Sequence, residues 1–379
     1  MTSELSSLCS YAKGKVSVDT LSKRNYVSTE NMMPNKGGIV DAGALPSAQY
    51  TQQYIKDDIL VSNIRPYFKK IWMADDDGGC SNDVLVFRAD RGCDSTFLYY
   101  ILANDAFFNY ASATSKGTKM PRGDKTAIMQ YKVPCFNYET QLRIGKLLRS
   151  IDDRIAVNKK INDNLQQQLF SLYENMATAS PCLKEYTLSN LCDFQEGYVN
   201  PPQTHPEYFD GEVKWLRAVD INESFIIETS RTLTKAGFES AKKSALLFEP
   251  NTIAISKSGT IGRLGIIADY MCGNRAVINI APHDTNMLAF IYCFLKSKQR
   301  EFPDMAVGSV QKNLYVSLLE PLSVSIPDNE SLTGFNAVGA SILGMIHNNC
   351  VENTDLANLR DTILPKLMSG EIDVSSVLL

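Results

Sequence analysis

Between residues 144 and 176 the core-type positions step alternately by four and three: Ile144, Leu148, Ile151, Ile155, Asn158, Asn162, Leu165, Leu169, Leu172 and Met176. This is a heptad seam, the pattern of a long helix that packs along a partner helix, with two polar layers in its middle. The seam returns 191 residues later as Phe335, Gly339, Ile342, Ile346, Asn349, Asn353, Leu356, Arg360, Ile363 and Leu367, with asparagines at the same two steps. Each helix has a stripe to bury, so the two are expected to pack on each other as an antiparallel, coiled-coil-like pair. Antiparallel pairing sets Asn158 and Asn162 against Asn353 and Asn349, near a pseudo-two-fold axis. Buried there, the asparagines would fix register at a cost in stability; at the seam's edge they would simply be solvated. Both readings stand on the pattern alone.

Outside the seams the apolar runs shorten to a strand period and are written twice. Leu5-Ser-Ser-Leu-Cys-Ser-Tyr-Ala-Lys-Gly14 returns as Leu188-Ser-Asn-Leu-Cys-Asp-Phe-Gln-Glu-Gly197, an offset of 183 residues. Cys80-Ser-Asn82 matches Cys272-Gly-Asn274, and Phe97–Leu102 matches Phe290–Leu295 at an offset of 193, which Pro134 and Pro327 share. Strands are expected at Ile59–Val61, Val84–Phe87, Thr252–Ile255 and Ala276–Ile280, and helices at Thr96–Tyr110 and Leu288–Glu301. The expected fold is α+β: two pseudo-symmetric domains, 1–138 and 183–328, separated by long helices at 139–180 and 329–379. From Ile144 to Met176 is about 33 residues, or ~50 Å of helix, more than the ~34 Å rise of one turn of duplex DNA.

Composition narrows the class. With 379 residues, 44% hydrophobic and 21% charged, the chain reads as a soluble globular protein of two or three domains. Nothing approaches ~18 consecutive apolar residues, so no membrane span is expected. The first residues, MTSELSSLCSYAKGK, carry no basic flank followed by an apolar run, and the nine cysteines form no CxxC pair. A cytoplasmic protein with reduced, mostly buried cysteines is expected. A net charge of −4 argues against a generic polyanion binder but leaves room for a local basic face.

Two loops in each copy carry such a face. Ser62–Lys70 interleaves Asn63, Arg65, Lys69 and Lys70 with Tyr67, and its counterpart Ser256–Arg263 offers Ser256, Lys257, Ser258, Thr260 and Arg263. Ser115–Lys125 offers Lys116, Thr118, Lys119, Arg122 and Lys125 against one acid, and is matched by Gly308–Asn313 with Ser309, Gln311, Lys312 and Asn313. Arginine can read guanine bidentately, asparagine or glutamine can read adenine, and glycines let the backbone approach a phosphate. Such a loop is also an ordinary solvated turn; its recurrence at equivalent places in both copies favours nucleic acid.

Other signals weaken on inspection. Asn200-Pro-Pro-Gln203 resembles the Asn-Pro-Pro-aromatic loop of adenine methyltransferases, but glutamine replaces the aromatic and no glycine-rich cofactor loop precedes it. It reads as a turn after Gly197. Gly259-Thr-Ile-Gly-Arg-Leu-Gly265 has the wrong spacing for a dinucleotide fingerprint. His205, His283 and His347 lack metal-ligand spacing, and Asp57-Asp58, Asp75–Asp77 and Asp152-Asp153 read as solvated acids. No nucleophile, base or metal cage is assembled, so a non-catalytic chain is expected.

Together these residues resemble the specificity (S) subunits of type I restriction–modification systems. The resemblance rests on Val213-Lys-Trp-Leu-Arg-Ala-Val-Asp-Ile221, Gly237-Phe238, Ile253–Gly265, Gly308–Asn313, Pro321–Pro327 and Leu364-Pro-Lys-Leu-Met-Ser-Gly-Glu-Ile372, with the duplication and both heptad helices. The first half departs from it: the Trp-Leu-Arg-x-x-Asp segment is missing, and Arg65-Pro66 stands where the second copy has Gly259-Thr260. The resemblance implies that each target-recognition domain reads one half of a split, double-stranded DNA site and that the helices set the unread gap. It implies two methyltransferase subunits as partners, joined by nuclease/translocase subunits, with S-adenosylmethionine, ATP and Mg²⁺ bound by those partners. The outer helix faces, including Lys159-Lys160 and Gln166-Gln-Gln168, are then the expected docking surface. Two other classes remain: a structural adaptor whose domains bind protein, and a stand-alone adenine methyltransferase using Asn200–Gln203.

Overall fold

The computed structural model describes residues 2–179, 184–309 and 311–375. The chain divides into two compact units, Met1–Arg154 with Leu356–Leu379, and Ile155–Asp355. The expected helix and domain limits at 180, 183 and 379, with Cys182 and Val310, lie outside the described residues.

In the first unit, short apolar runs bounded by turn residues become strands. Strands β1 (Cys9–Tyr11), β2 (Lys15–Ser17), β3 (Tyr26–Val27), β4 (Tyr50–Tyr54), β5 (Ile59–Ser62), β6 (Ile71–Met73), β7 (Gly78–Cys80) and β8 (Val84–Ala89) form two four-stranded sheets, ordered β1-β8-β5-β6 and β2-β4-β7-β3. Strands β5 and β8 lie at the centre of the first, which is why they are apolar on both faces: Ile59, Leu60, Val84 and Phe87 are each 0% exposed. The helix expected over Thr96–Tyr110 is broken into α1 (Ser95–Ala103) and α2 (Asp105–Ala113). Asn104 causes the break, since its side-chain oxygen accepts the Ala106 N–H at 2.9 Å and caps a new helix.

The second unit repeats the plan. Strands β9 (Cys192–Glu196), β10 (Phe209–Leu216), β11 (Phe225–Ile226), β12 (Ile253–Ser256), β13 (Leu264–Ile267), β14 (Cys272–Gly273) and β15 (Val277–Pro282) include a sheet ordered β9-β15-β12-β13-β11, backed by the helix Leu288–Lys298. Strand pairing also corrects the repeat alignment. Tyr26–Val27 pairs in parallel with Gly79–Cys80, as Trp215–Leu216 does with Cys272–Gly273. The first half lacks the Trp-Leu-Arg-x-x-Asp residues, but their place in the fold is filled by Tyr26-Val-Ser-Thr-Glu-Asn31. The Ser28 N–H donates to the Asn31 side chain at 2.6 Å, as the Arg217 N–H donates to Asp220 at 2.9 Å. Cys80 consequently matches Gly273, one residue away from Cys272. Likewise the Leu5 N–H donates to Tyr131 O and the Leu188 N–H to Leu322 O, which sets that offset at 191 and aligns Pro134 with Ser325, not Pro327.

The seams form the helices α3 (Tyr138–Ala179) and, after the Leu288–Lys298 helix (α4), α5 (Asn329–Ser369). In the first unit Leu148, Leu364 and Leu367 join the domain core, with Leu148 and Leu367 0% exposed, each such side chain contributing about 1.5–3 kcal/mol by burial. In the second unit Asn158 Nδ2 donates to Asn353 Oδ1 at 3.0 Å and Asn349 Nδ2 to Asn162 Oδ1 at 2.8 Å, so the helices run antiparallel in the expected pairing. Asn158 is 0% and Asn162 6% exposed, which removes the solvated-edge reading. The heptad fails at one step. Leu172 is 41% exposed, and Tyr173 takes the inward position against Phe290 and Phe335. A nearly straight helix has 3.6 residues per turn, so a strict seven-residue stripe drifts off its face.

Two acids expected in solvent, Asp58 and Asp152, are wholly or partly enclosed. Asp58 is 1% exposed and accepts a bidentate pair from Arg88 at 2.8 and 2.7 Å. Asp152 accepts from the Tyr100 hydroxyl at 2.6 Å and from Arg360 at 2.6 Å. Of the histidines, His205 faces Glu207 at 2.8 Å and His283 faces Asp193 at 3.2 Å, and among the described residues no three His, Cys, Asp or Glu cluster as metal ligands. Among the described residues, no helix is long and apolar enough to cross a membrane.

Candidate nucleic-acid interface

The two loops picked out in each copy are latched together by the same backbone hydrogen bonds. In the first unit the Ser62 N–H donates to Lys70 O and closes the first loop; in the second the Ser256 N–H donates to Arg263 O. The roots are fixed by Asn63 N–H to Asp83 O and by Lys257 N–H to Ala276 O, at 2.8 and 2.7 Å. The second loop is pinched by the reciprocal pairs Lys116–Arg122 and Val307–Asn313. It is then fastened to the first by Gly123 N–H to Asn63 O and by Leu314 N–H to Lys257 O. One backbone frame thus presents two sets of side chains.

The frame also explains the glycines and their replacements. Gly259 and Gly262 have φ of +76° and +85°, and the positions they fill are taken in the first unit by Arg65 and Lys69, with φ of 50° and 51°. An L-residue held in the left-handed region costs roughly 1–2 kcal/mol, so both are over-determined by their surroundings. The Arg65 N–H donates to Pro121 O at 2.8 Å. A third segment, which the sequence reading passed over, completes the site: the Asn35 and Lys36 N–H groups donate to Phe68 O and Lys69 O, both at 2.8 Å. The only advance signal for it was the turn chemistry of Pro34-Asn-Lys-Gly-Gly38.

The candidate side chains divide by exposure. Asn63 is 7% exposed and Ser256 0%. Ser256 is taken up by its own loop, its hydroxyl donating to Thr260 O at 2.5 Å and accepting from the Arg263 N–H. Lys257 is paired with Glu196 at 2.9 Å and lies 4.7 Å from the centre of the Tyr315 ring. In the first unit some of the cations are matched by acids: Lys69 and Lys36 with Asp105 at 2.8 and 3.0 Å, Lys116 with Asp124 at 2.5 Å, Arg122 with Asp83 at 2.9 Å. Burial would raise the Asp105 carboxyl, but hydrogen bonds and charge from Lys69 and Lys36 outweigh it and hold the group below its ordinary range. Asp124 is held low by Lys116 and by the Ala127 and Thr126 amides that it caps. The four-to-one excess counted along Ser115–Lys125 is therefore smaller in space than in sequence.

Other groups face solvent. Lys116 and Arg122 remain 81% and 55% exposed despite their pairing. Tyr67 is 52% exposed, its ring centre 4.8 Å from that of Phe68 and tilted by 57°, while Lys70 donates to Thr29 O at 2.5 Å. Thr118, Lys119, Lys125, Thr260, Ser309, Gln311 and Lys312 are exposed; Arg65, Ser258, Arg263 and Asn313 are half-buried. Both frames carry donors and acceptors suited to base edges and phosphates.

The model of the type I restriction modification DNA specificity domain matches the chain twice, over residues 1–167 and 183–354. The MjaIX specificity subunit of a type I restriction enzyme from Methanocaldococcus jannaschii is 24% identical over 308 residues, 76% of this chain and 71% of that one. The HindI specificity subunit from Haemophilus influenzae is 27% identical over 176 residues, 45% of this chain and 38% of that one. The crystal structure of the S subunit of a type I system from M. genitalium superposes with a TM-score of 0.56 at 19% identity, covering 97% of this chain and 96% of that one, and so shares the fold. With two domain matches spanning most of its length, the chain belongs to the family of type I restriction–modification specificity subunits.

Proposed function

We propose that this specificity subunit reads a two-part, double-stranded DNA target, one half with residues 1–138 and the other with residues 183–328. The observation that carries the reading is the doubled loop frame: identical backbone latches present Arg65, Tyr67, Lys119 and Arg122 in one unit, and Thr260, Arg263, Gln311 and Lys312 in the other. A conserved frame with exchanged side chains is what two different half-sites require. The chain itself is non-catalytic. It directs two adenine methyltransferase subunits, which hold S-adenosylmethionine, and nuclease/translocase subunits that use ATP and Mg²⁺. The helix faces bearing Lys159, Lys160, Gln167 and Gln168, all exposed, are where the methyltransferase subunits dock. Asn158, Asn162, Asn349 and Asn353 fix the helix register and hence the unread gap.

The test is co-expression with the methyltransferase subunit of its own operon, in a host lacking adenine methylation, followed by mapping of methylated adenines across the genome. The expected result is one two-part motif with a fixed gap, altered in one half only when residues 62–70 and 115–125 are exchanged. Absence of new methylation from a complex that co-purifies would refute DNA reading and favour a protein-binding adaptor. Methylation by the chain alone would favour a stand-alone enzyme.

A further inference from the structure

The segment Asn200-Pro-Pro-Gln203 has a place in the fold that its reading as a plain turn does not explain. Its root is welded to the turn that follows β14. The Gly197 N–H donates to Val277 O at 2.9 Å and the Val199 N–H to Gly273 O at 3.1 Å. A side chain at Gly197 would meet Asn274 O at 2.2 Å, so only glycine permits this approach. From beneath, Trp215 Nε1 donates to Val199 O at 2.7 Å. The far end is also tied, because Gln203 Oε1 accepts from Arg231, whose guanidinium lies 4.2 Å from the Phe209 ring centre. Asn200 is exposed at the crest of this braced segment.

The segment walls a cleft of about 630 Å³, whose lining includes Tyr198, Asn200, His205, Lys242 and Arg275. Arg275 sits beside Ala276, the residue whose carbonyl anchors the first reading loop through the Lys257 N–H. Glu196 joins the two features, accepting from Lys257 at 2.9 Å and from the Tyr198 hydroxyl at 3.0 Å. Neighbouring arginines serve structure: Arg217 donates to Ser230 and Arg231 to Gln203. Arg275, by contrast, is exposed and makes no side-chain hydrogen bond or ion pair among the described residues. In the first unit the residues after the matching Gly14 form strand β2 instead, so the segment that walls the cleft has no like-folded counterpart there.

From this arrangement we infer that the cleft is a base-reading subsite of the second domain, with Arg275 and Asn200 meeting base edges; the inference rests on the DNA-reading function above. An unpaired guanidinium suits the O6/N7 edge of guanine, and a carboxamide suits the N6/N7 edge of adenine. The backbone beside both residues is tied, by Val199 N–H to Gly273 O and by Lys257 N–H to Ala276 O, which fixes where the two side chains start. The test uses full-length chains carrying Arg275→Ala, Arg275→Lys or Asn200→Ala, each co-expressed with the methyltransferase subunit and scored by genome-wide methylation mapping. Thermal unfolding of each purified chain at the wild-type temperature checks the fold. Arg275→Ala is expected to relax discrimination roughly 10- to 100-fold at one base pair. That base pair lies in the half of the motif untouched by exchange of the first-domain loops. Arg275→Lys, which lacks the planar fork, restores it in part. An unchanged motif overturns the inference, as does a uniform fall in methylation at every site, which marks a phosphate contact. A wild-type complex that yields no two-part motif overturns the underlying reading itself.

Discussion

The layer formed by Asp152, Arg360 and Tyr100 offers a test of how the helix pair is held in the first unit. Arg360 and Asp152 meet at 2.6 Å with side chains 21% and 27% exposed, and Asp152 also accepts from the Tyr100 hydroxyl. Burial would lower the Arg360 guanidinium; the charge of Asp152 and its hydrogen bond outweigh this and raise it. The repeat supplies its own control. At the helix offset of 191 the equivalents of Asp152 and Arg360 are Leu343 and Leu169, 5% and 1% exposed, and the equivalent of Tyr100 is Cys293. Unit charges ~4 Å apart attract by ~4 kcal/mol at an effective dielectric of ~20, and desolvation of both groups takes back much of that. Arg360→Leu strands a three-quarters enclosed carboxylate on one hydroxyl and is expected to cost about 2–3 kcal/mol. Asp152→Leu leaves Arg360 its contact with Asp361 but orphans Tyr100, costing about 1–3 kcal/mol. The combined Tyr100→Phe, Asp152→Leu, Arg360→Leu chain rebuilds the apolar layer of its sibling and is expected within about 1 kcal/mol of wild type, or above it. The two tryptophans lie one in each unit, so in a Trp215→Phe background Trp72 fluorescence during urea unfolding follows the first unit. If the losses simply add, with a coupling inside ~0.5 kcal/mol, the ion pair does not hold the layer and the reasoning fails.

Three further outcomes are expected. Gly339→Ala gains ~1 kcal/mol of helix propensity but places its Cβ 2.6 Å from Ala289 Cβ, so the urea midpoint of the second unit should fall. In the same helix Gly344→Ala meets nothing within 4 Å and should raise it; a rise in both would discount the clash. Arg65→Gly should leave unfolding unchanged or raise stability by up to ~1 kcal/mol, by relieving φ of 50°, yet alter the first half-site in a methylation map. Glu223 is raised by burial, but Lys296 at 2.5 Å and Gln299 at 3.0 Å more than reverse this and hold it below 4.5. Its stabilisation is therefore present above that pH and lost as pH falls through the folded value. Glu223→Gln should flatten the acid limb of the second unit's stability below about pH 4.5, read from Trp215 in a Trp72→Phe background, and an unaltered limb would contradict it.

The long helices were legible because burial of a stripe imposes a period, and ten positions spaced by threes and fours outweigh any single residue. Leu172 was misplaced for the same reason: a seven-residue template ignores the drift of a straight helix, and Tyr173 was inward by that drift. Strand centres such as Ile59–Ser62 were legible from apolar runs, but pairing was not, since hydrogen bonds join residues far apart in sequence. That is why Tyr26–Asn31 passed unseen as the partner of Trp215–Asp220. Tyrosine replaces tryptophan, valine leucine, serine arginine and asparagine aspartate, and only the turn hydrogen bond and strand pairing survive. The loops were found by composition, yet composition could not tell Thr260, which faces solvent, from Ser256, which closes its own loop. Nor could it foresee that Asp105, Asp124 and Asp83 would take up Lys69, Lys116 and Arg122.

The polar layers of the helix pair are unevenly distributed, and the unevenness has a physical consequence. The asparagine layers are symmetric: Asn158 faces Asn353 and Asn162 faces Asn349, so the same contacts would form if either helix paired with a copy of itself. The Asp152–Arg360 layer is not symmetric. A copy of α3 packed antiparallel on α3 would set Asp152 against Leu169, and a copy of α5 on α5 would set Arg360 against Leu343. The first pairing encloses Asp152 with no counter-ion, a penalty of several kcal/mol, and the second leaves Arg360 only the half-exposed Asp361, while α3 with α5 satisfies both. The symmetric layers therefore choose the register and the asymmetric one chooses the partner. A chain built from two similar halves needs both, because heptad stripes alone would let like halves pair as readily as unlike ones.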